Sequence, residues 1–343
     1  MKKLLNTLYA MSEGLYLRQD GETVVAEREH HVVMRLPLHT LDGIVATSGN
    51  VTLSPNLMNH CCEKGVAISY LDRNGKFLAR VEGPVSGNVR LRLAQVAAYN
   101  DPARKALIAR SFVIGKVMNS RNILLRRLRD HGADAAVEAA VEKLRNTVIA
   151  LKPADLDVGT IRGLEGEAAA VYFGVFDRLR TSASDAFRFE ERNRRPPRDP
   201  MNALLSFLYV LLAHDCRSAL EGVGLDPQIG FLHEVRPGRS SLALDLMEEF
   251  RAVLVDRLAL TLVNLRKVTE RDFKLSESGA VAMSDDARKT VVAAWQQKKQ
   301  EEVTHPFLGE KMPAGLLLHY QALLLARHLR GDLDAYPPYV LQK

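Results

Sequence analysis

The feature that most constrains the fold is a change in the spacing of apolar residues near residue 82. Before it, short apolar or alternating runs are separated by turn residues, which is typical of β-strands. From about Val89 to about residue 330, apolar residues recur every three or four positions, which is typical of helices. The chain is therefore predicted to be an α+β protein, with a small β-rich N-terminal domain followed by a larger all-α domain.

The predicted domain boundaries follow from this change. Residues 1–82 form the β-rich domain, and residues 83–90, which are rich in Gly and Pro, form a linker. Residues 91–330 form the α-helical domain. Residues 331–343 contain two adjacent prolines and are expected to form an extended or disordered tail.

Local signals support a β-rich first domain. Asn74-Gly75 is a strong signal for a two-residue hairpin turn. Ser54 is a suitable N-cap for a short helix that begins at Pro55 and ends before Gly65. The candidate strands are Leu4–Tyr9, Leu15–Leu17, Thr23–Ala26, Val32–Leu36, Gly43–Ala46, Val66–Leu71 and Phe77–Val81.

Composition narrows the class of protein. Lys and Arg exceed Asp and Glu by 47 to 41, which gives a net charge of +6 and favours a polyanionic partner only weakly. Three cysteines are too few for a disulfide framework. No opening segment has the pattern of a signal peptide, and no apolar run is long enough to span a membrane. A cytoplasmic protein with no membrane association is expected.

Positive charge is concentrated in two segments of the predicted helical domain. Residues 101–130 contain eight Lys or Arg residues, and residues 188–198 contain five arginines. In the second segment, Arg194, Arg195 and Arg198 flank a Pro-Pro pair. A stiff segment of this kind would hold guanidinium groups in place to bind phosphate oxygens. The alternative is a solvated helix face without a ligand.

Acidic residues and a histidine occur at unusual positions in the helical part. Glu165 lies on the apolar side of a predicted helix, although Glu167 is a local competitor that spacing alone does not exclude. His233 precedes a Pro-Gly turn, and Asp245 and Glu248 share one face of the next helix. Together these groups would suit Mg²⁺ or Mn²⁺ beside a phosphate-binding surface. The alternatives are acids that a helix dipole stabilises and a structural histidine.

At these residues the sequence resembles the family of CRISPR-associated spacer-acquisition integrases, Cas1. The likeness covers nearly the whole chain, and the blocks occur in the family's order. The matching blocks are GLEG with the following AA and YF at 163–173, PMNALLSFLY at 200–209, GFLH at 230–233 and LALDLMEEFR at 242–251, with Lys116 and Asn119 matching a further basic segment.

The resemblance implies a set of site residues. Glu165, His233 and Glu248 are the implied metal ligands, with Asp245 as a fourth acid of the catalytic set. Position 248 is Glu where some relatives have Asp, and the longer side chain would shift the metal without abolishing its site. The DNA-binding candidates are Lys116 and Tyr209 from the matching blocks, together with Arg194, Arg195 and Arg198 of the Pro-Pro segment. Tyr209 belongs to a polar stripe with Asn202 and Ser206, for which hydrogen bonding within the core is the alternative.

The resemblance also implies an activity and partners. Spacers would be inserted into a CRISPR array when the 3′-hydroxyl of a short DNA duplex attacks a phosphodiester of the repeat, with Mg²⁺ or Mn²⁺ as cofactor. The N-terminal domain would form a homodimer, and two dimers would flank a dimer of the smaller protein Cas2 in a heterohexamer that binds double-stranded DNA. A subtype I-C system is the expected setting. The alternatives are a general metal-dependent nuclease or branched-DNA resolving enzyme, and a non-catalytic nucleic-acid scaffold.

Overall fold

The structure is a computed structural model, which describes residues 6–46, 50–71, 77–83, 89–181, 184–193, 196–276 and 279–341. The helices in this part of the chain are α1 (Pro55–Lys64), α2 (Val89–Asn100), α3 (Pro102–His131), α4 (Ala135–Ala150), α5 (Val158–Gly174), α6 (Pro200–Gly222), α7 (Ser241–Glu248), α8 (Arg257–Asn264), α9 (Asp285–Gln300) and α10 (Leu316–Arg330). The strands are β1 (Asn6–Ala10), β2 (Leu15–Asp20), β3 (Thr23–Arg28), β4 (His31–Pro37), β5 (Leu41–Ala46), β6 (Thr52–Leu53), β7 (Ala67–Leu71), β8 (Phe77–Val81), β9 (Phe273–Leu275), β10 (Val281–Met283), β11 (Glu302–Thr304) and β12 (Lys311–Pro313).

The N-terminal part of the chain folds around two small sheets. One has the strand order β4-β3-β2-β6 and the other β1-β5-β7-β8. Their apolar side chains share one core that includes Leu17, Ile44 and Ile68. The predicted strands are present with ends shifted by a few residues, and the two-residue β6 was missed because it is too short to show alternation. The predicted Asn74-Gly75 turn, most of the 83–90 linker and the start of the first candidate strand lie outside the described residues.

Helix α1 has the ends that the sequence predicts. The Ser54 hydroxyl accepts a hydrogen bond from the Leu57 backbone N–H at 3.2 Å, which satisfies a donor that the helix itself cannot pair. The helix ends at Gly65, whose φ of 70° lies in the left-handed region that glycine adopts without strain. Leu57 and Cys61 are buried on the inner face, so α1 covers the core of the two sheets.

The chain divides into two compact units that are not two continuous halves. One unit comprises residues 1–86 and 285–301, and the other comprises 87–284 and 302–343. Helix α9 therefore belongs with the β-rich unit, where its Trp295 is fully buried. The predicted domain at 91–330 treated this helix as part of the helical core. Amphipathic spacing shows that a helix buries one face, but it does not show which core receives that face.

The second unit is mostly helical. Between α7 and α8, residues Arg251–Asp256 form a π-helical turn. The predicted α+β class, a β-rich part followed by a helical one, is confirmed, with two short antiparallel pairs, β9 with β10 and β11 with β12, among the helices. Each of these strands has three residues, which is too few for alternation to reveal them.

Helix α6 forms the centre of this unit. It is long and apolar enough, by length and composition, to cross a membrane, but 67% of its most apolar stretch is buried inside the protein. Burial within the fold accounts for the apolar composition, because a helix surrounded by protein is hydrophobic on most of its faces.

The residues after α10 are extended, as predicted, but they are packed rather than disordered. Tyr336 and Tyr339 are each only 2% exposed. The Tyr336 hydroxyl donates to Glu249 Oε1 at 2.7 Å, and the Tyr339 backbone N–H donates to Glu249 Oε2 at 2.8 Å. Asn119 on α3 donates to the Tyr339 carbonyl and accepts from the Leu341 N–H. Buried aromatic rings and paired polar groups hold this segment in place without regular secondary structure.

Candidate metal centre

Helix α5 presents Glu165 to the neighbouring helix α3. The helix begins after Asp157, whose carboxylate accepts from the Thr160 N–H at 2.9 Å. On the helix that follows, Glu165 is in direct contact with the Lys116 ammonium of α3, whereas Glu167 is exposed to solvent. The structure thus separates the two glutamates that the sequence could not rank.

Glu248 is the last residue of α7 and is 3% exposed. Its Oε1 accepts from Arg251 Nη1 at 2.9 Å, and its Oε2 lies 2.6 Å from Lys116 Nζ. Burial opposes ionisation of this carboxyl, but the charges of Arg251 and Lys116 outweigh burial and hold its pKa well below the ordinary value. Glu248 is therefore a carboxylate whose charge is fixed by its surroundings.

His233 lies in the loop between α6 and α7, where Asp245 fixes its ring. Asp245 Oδ1 is 2.7 Å from His233 Nδ1, so this nitrogen carries the proton when the imidazole is neutral. The other ring nitrogen, Nε2, is then an acceptor and lies 4.0 Å from Glu248 Oε1. The loop and helix α7 together direct a nitrogen lone pair toward Glu248.

Asp245 is fully buried and contacts the His233 ring at Nδ1. Besides the imidazole, it accepts hydrogen bonds from the backbone N–H groups of Phe231 at 2.6 Å, Leu232 at 3.0 Å and His233 at 2.9 Å. Both of its oxygens are used by these donors. The structure therefore gives Asp245 four hydrogen-bond donors, three of them backbone N–H groups of the loop that carries His233.

Two further side chains, which the sequence analysis missed, hold the loop that carries His233. Gln95 on α2 is fully buried, donates to the carbonyls of Asp226 at 2.8 Å and Ile229 at 3.0 Å, and accepts from the Asp226 N–H. Arg162 on α5 donates to the Leu232 carbonyl at 2.6 Å. Arg162 thus connects the helix that carries Glu165 to the loop that carries His233.

Gly230 is required where this loop meets α7. A Cβ atom at position 230 would lie 2.7 Å from the backbone carbon of Ser241 and 3.0 Å from Asp245 Oδ2. We expect Gly230→Ala to lower the free energy of unfolding by about 1–3 kcal/mol, as overpacking does. The matched control is Gly163→Ala on α5, where a Cβ meets nothing within 4 Å and the change should be neutral or stabilising. Urea unfolding of both variants measures the difference, and equal stabilities would contradict the steric argument.

The three predicted ligands are brought together, but a lysine lies among them. Lys116 on α3 is 8% exposed and its ammonium contacts both Glu165 and Glu248. Across the described ranges, no three His, Cys, Asp or Glu side chains stand close enough as a group to hold a metal ion in this arrangement. Lys116 was a candidate for DNA binding, and the structure places it between Glu165 and Glu248.

The donor set nevertheless fits a hard divalent cation. Two ligands of one Mg²⁺ at about 2.1 Å each are at most ~4.2 Å apart. The separation of 4.0 Å between His233 Nε2 and Glu248 Oε1 is compatible with this limit, and Glu165 and Glu248 share contact with one nitrogen atom. Two carboxylates and one imidazole would hold Mg²⁺ or Mn²⁺ once the ammonium had moved away.

A second polar cluster lies against the first. The guanidinium carbon of Arg251 is 4.2 Å from the centre of the Tyr209 ring, and the Tyr209 hydroxyl donates to Asp256. Burial raises the pKa of Asp256 to about 6, against the opposing effects of Tyr209 and Arg251. Tyr209, which was predicted to point toward the DNA or the metal, contacts Arg251 rather than the ligands. Arg251 itself was missed, although its spacing of three residues from Glu248 was a usable signal.

The remaining predicted residues are those of the polar stripe on α6 and the arginines of the Pro-Pro segment. Asn202 is buried and hydrogen-bonds the carbonyl of Glu191, while Arg192 donates to both Asn202 and Ser206, so this part of the polar stripe serves the core. Arg198 is exposed. Arg194 and Arg195 lie outside the described residues.

Comparisons with known proteins identify similar chains. The family model described as "CRISPR associated protein Cas1" matches residues 8–297. The CRISPR-associated endonuclease Cas1 2 of Rhodospirillum rubrum is 54% identical, with 99% of each chain covered. The CRISPR-associated endonuclease Cas1 1 of Chlorobaculum tepidum is 52% identical, again with 99% of each chain covered. Among solved structures, a Cas1 protein from Thermotoga maritima is similar with a TM-score of 0.79 and 26% identity, covering 95% of this chain and 97% of that one.

Proposed function

This chain belongs to the CRISPR-associated Cas1 family, and from that premise we propose that it is a metal-dependent DNA integrase that inserts new spacers into a CRISPR array. One observation carries the proposal at the level of chemistry. Glu165, His233 and Glu248 come from three separate elements. Glu165 and Glu248 contact the same Lys116 ammonium, and His233 Nε2 lies 4.0 Å from Glu248 Oε1. Structural acids at the ends of unrelated helices would have no reason to converge with a histidine.

The proposed reaction exchanges one phosphodiester for another. The 3′-oxygen of the incoming duplex forms a bond to a repeat phosphorus, the bond to the repeat's own 3′-oxygen breaks, and that oxygen takes up a proton. Because the number of phosphodiester bonds is unchanged, no separate energy source is required. A bound Mg²⁺ or Mn²⁺ supplies electrostatic stabilisation of the charge that develops on the phosphate oxygens.

The residues of the chain organise this site before any DNA arrives. Asp245 holds the His233 ring so that Nε2 is available as a ligand. Arg251 keeps Glu248 ionised and oriented, and the Tyr209 ring packs against Arg251. Glu165 would be the third ligand and is the most accessible of the three acids, with a quarter of its side chain exposed. DNA would approach from this side.

The finer assignments are part of the same proposal. The β-rich unit would form the homodimer, and two dimers would assemble with a Cas2 dimer and double-stranded DNA in the cytoplasm. Arg194, Arg195 and Arg198 would contact the DNA backbone, and the system would be of subtype I-C. Family membership supports the partner and the substrate, and the basic segments support phosphate binding.

The proposal is tested by supplying a short duplex with 3′-hydroxyl ends and a plasmid that carries the repeat. An integrase produces plasmid joined to the duplex in the presence of Mg²⁺ or Mn²⁺, and a duplex with blocked 3′ ends gives none. Fragmented plasmid without joining would indicate a general nuclease. DNA binding without either product would indicate a scaffold.

Asp245→Asn tests the positioning of the histidine. An amide at this position offers one acceptor and one donor where Asp245 accepts from several groups, so the His233 ring loses its fixed orientation. We expect joining to fall by about 10–100-fold, the usual effect of removing a residue that orients a metal ligand. The rate of joining and the midpoint of its dependence on Mn²⁺ concentration should both change. An unchanged Mn²⁺ midpoint would contradict the role given to Asp245.

A further inference from the structure

Lys116 occupies the position between the acidic residues at which a cation is needed. Its ammonium contacts Glu165 of α5 and lies 2.6 Å from Glu248 of α7. We propose that Lys116 is an internal cation that holds the two carboxylates together in the metal-free protein, and that a divalent ion must displace it to bind. This inference rests on the proposed function, because it assumes that the same carboxylates are metal ligands.

The charges of the cluster support this role. Glu165 and Glu248 are balanced by Lys116 and Arg251, so the four formal charges cancel without any added ion. Buried carboxylates left without a cation would repel each other and destabilise the fold. The lysine therefore allows the acidic cluster to form before metal is present.

Entry of a divalent ion upsets this balance. With the ammonium still in contact with both carboxylates, the cluster would carry two excess positive charges in a largely buried place, and the metal and the ammonium would compete for the same oxygens. Arg251 packs on the Tyr209 ring and is paired with Glu248, so a second contact besides the carboxylate holds its guanidinium in place. Lys116, with four flexible methylene groups, is the group that can move.

Acceptor groups lie beside Lys116 that its ammonium could reach after displacement. A small, partly open cleft adjoins Lys116 and is lined also by Ser120, Tyr172, Tyr209 and Asp256. Asp256 and the tyrosine hydroxyls offer acceptors for an ammonium there. A phosphate of bound DNA would be an alternative partner, which would make metal and DNA binding cooperative.

The test is the affinity for Mn²⁺ alone, measured by calorimetry at one fixed pH with the full chain. Lys116→Met keeps the length of the side chain and removes its charge. We expect it to bind Mn²⁺ at least ~10-fold more tightly than the unchanged protein, within the range of measured coupling energies between ligands. Its metal-free form should melt at a lower temperature, and Mn²⁺ should raise that temperature by more than it does in the unchanged protein.

Two variants serve as controls. Lys116→Arg keeps a positive charge and should bind Mn²⁺ no more tightly than the unchanged protein. Lys105 is on the same helix, and its ammonium packs on the Tyr99 ring rather than on Glu165 or Glu248. Lys105→Met should therefore leave the Mn²⁺ affinity unchanged. Equal or weaker Mn²⁺ binding by Lys116→Met would overturn the inference and leave the proposed function intact. Absence of Mn²⁺ binding in every form would overturn both.

A measurement on the unchanged protein avoids dependence on the folding of the variant. Acetylation of lysines by a small acylating reagent is followed by mass spectrometry with and without Mn²⁺. Displacement should increase the labelling rate of Lys116 at least several-fold, while Lys105 serves as the internal reference. A Lys116 labelling rate that saturating Mn²⁺ does not raise would overturn the inference.

Discussion

Replacing Glu165 with alanine is expected to lower DNA joining by about 10²–10³-fold while the protein stays folded. A bound metal contributes several kcal/mol of transition-state stabilisation, and a loss of ~3–4 kcal/mol corresponds to this range of rates. Glu165 is the best of the ligands to remove because its side chain is a quarter exposed. Loss of the buried Glu248 would instead leave Arg251 with an unpaired charge. The rate of joined product, measured at saturating Mn²⁺, gives the effect.

The neighbouring acid provides the matched control. Glu167 lies two residues further on α5 and is exposed, so Glu167→Ala makes the same chemical change without touching the cluster. It should keep nearly full activity, and both variants should melt within a few degrees of the unchanged protein. Normal joining by Glu165→Ala, or an equal loss in Glu167→Ala, would show that Glu165 is not a ligand.

Removal of residues 336–343 is expected to destabilise the helical unit by about 3–5 kcal/mol, the scale of losing buried aromatic side chains. Tyr336 and Tyr339 are almost fully buried. Their loss also takes two hydrogen bonds from Glu249, a carboxyl whose pKa burial already raises to about 8. Thermal unfolding should begin about 10 °C lower. Since Glu249 adjoins Glu248, activity should fall as well.

A shorter truncation shows whether stability is lost because buried side chains are removed or because the chain is shorter. A chain that ends at Leu341 keeps Tyr336, Tyr339 and the hydrogen bond from the Leu341 N–H to Asn119. It should melt at the same temperature as the full chain. Tyr336→Phe keeps the ring and removes only the hydroxyl that donates to Glu249, so a smaller loss of ~1–3 kcal/mol is expected. If the chain without residues 336–343 were as stable as the full chain, the packing role of the tail would be wrong.

Much of the fold could be predicted because local rules determine it. The change of apolar spacing separates strands from helices, and Ser54 and Gly65 mark the ends of α1 through backbone groups within a few residues. The membership of α9 could not be predicted, since the face that contains Trp295 fits any apolar core. The packed tail was missed for a similar reason. Its proline pair hides any period, and its partner Glu249 is 90 residues away from Tyr339.

In the candidate site, the identity of several residues could be predicted from the sequence, but their contacts could not. The resemblance to a known family singled out Glu165, His233 and Glu248, and the structure brings them together, although their role as ligands stays a prediction. The position of Lys116 between two of them could not be predicted, because its contact with Glu165 joins residues 49 positions apart. The resemblance placed Asp245 in the catalytic set as a fourth acid, without showing which groups it would contact. Only the backbone donors at residues 231–233 reveal what it binds.

The discontinuous β-rich unit has a consequence for how the protein is made. Helix α9 is separated from the first part of its unit by residues 87–284, so a ribosome must release roughly two hundred further residues before that unit can close its core. Domains usually fold during synthesis in the order in which they emerge. Here the first sheets to emerge would wait with apolar surface uncovered, and this interval is where a chaperone would have most to protect.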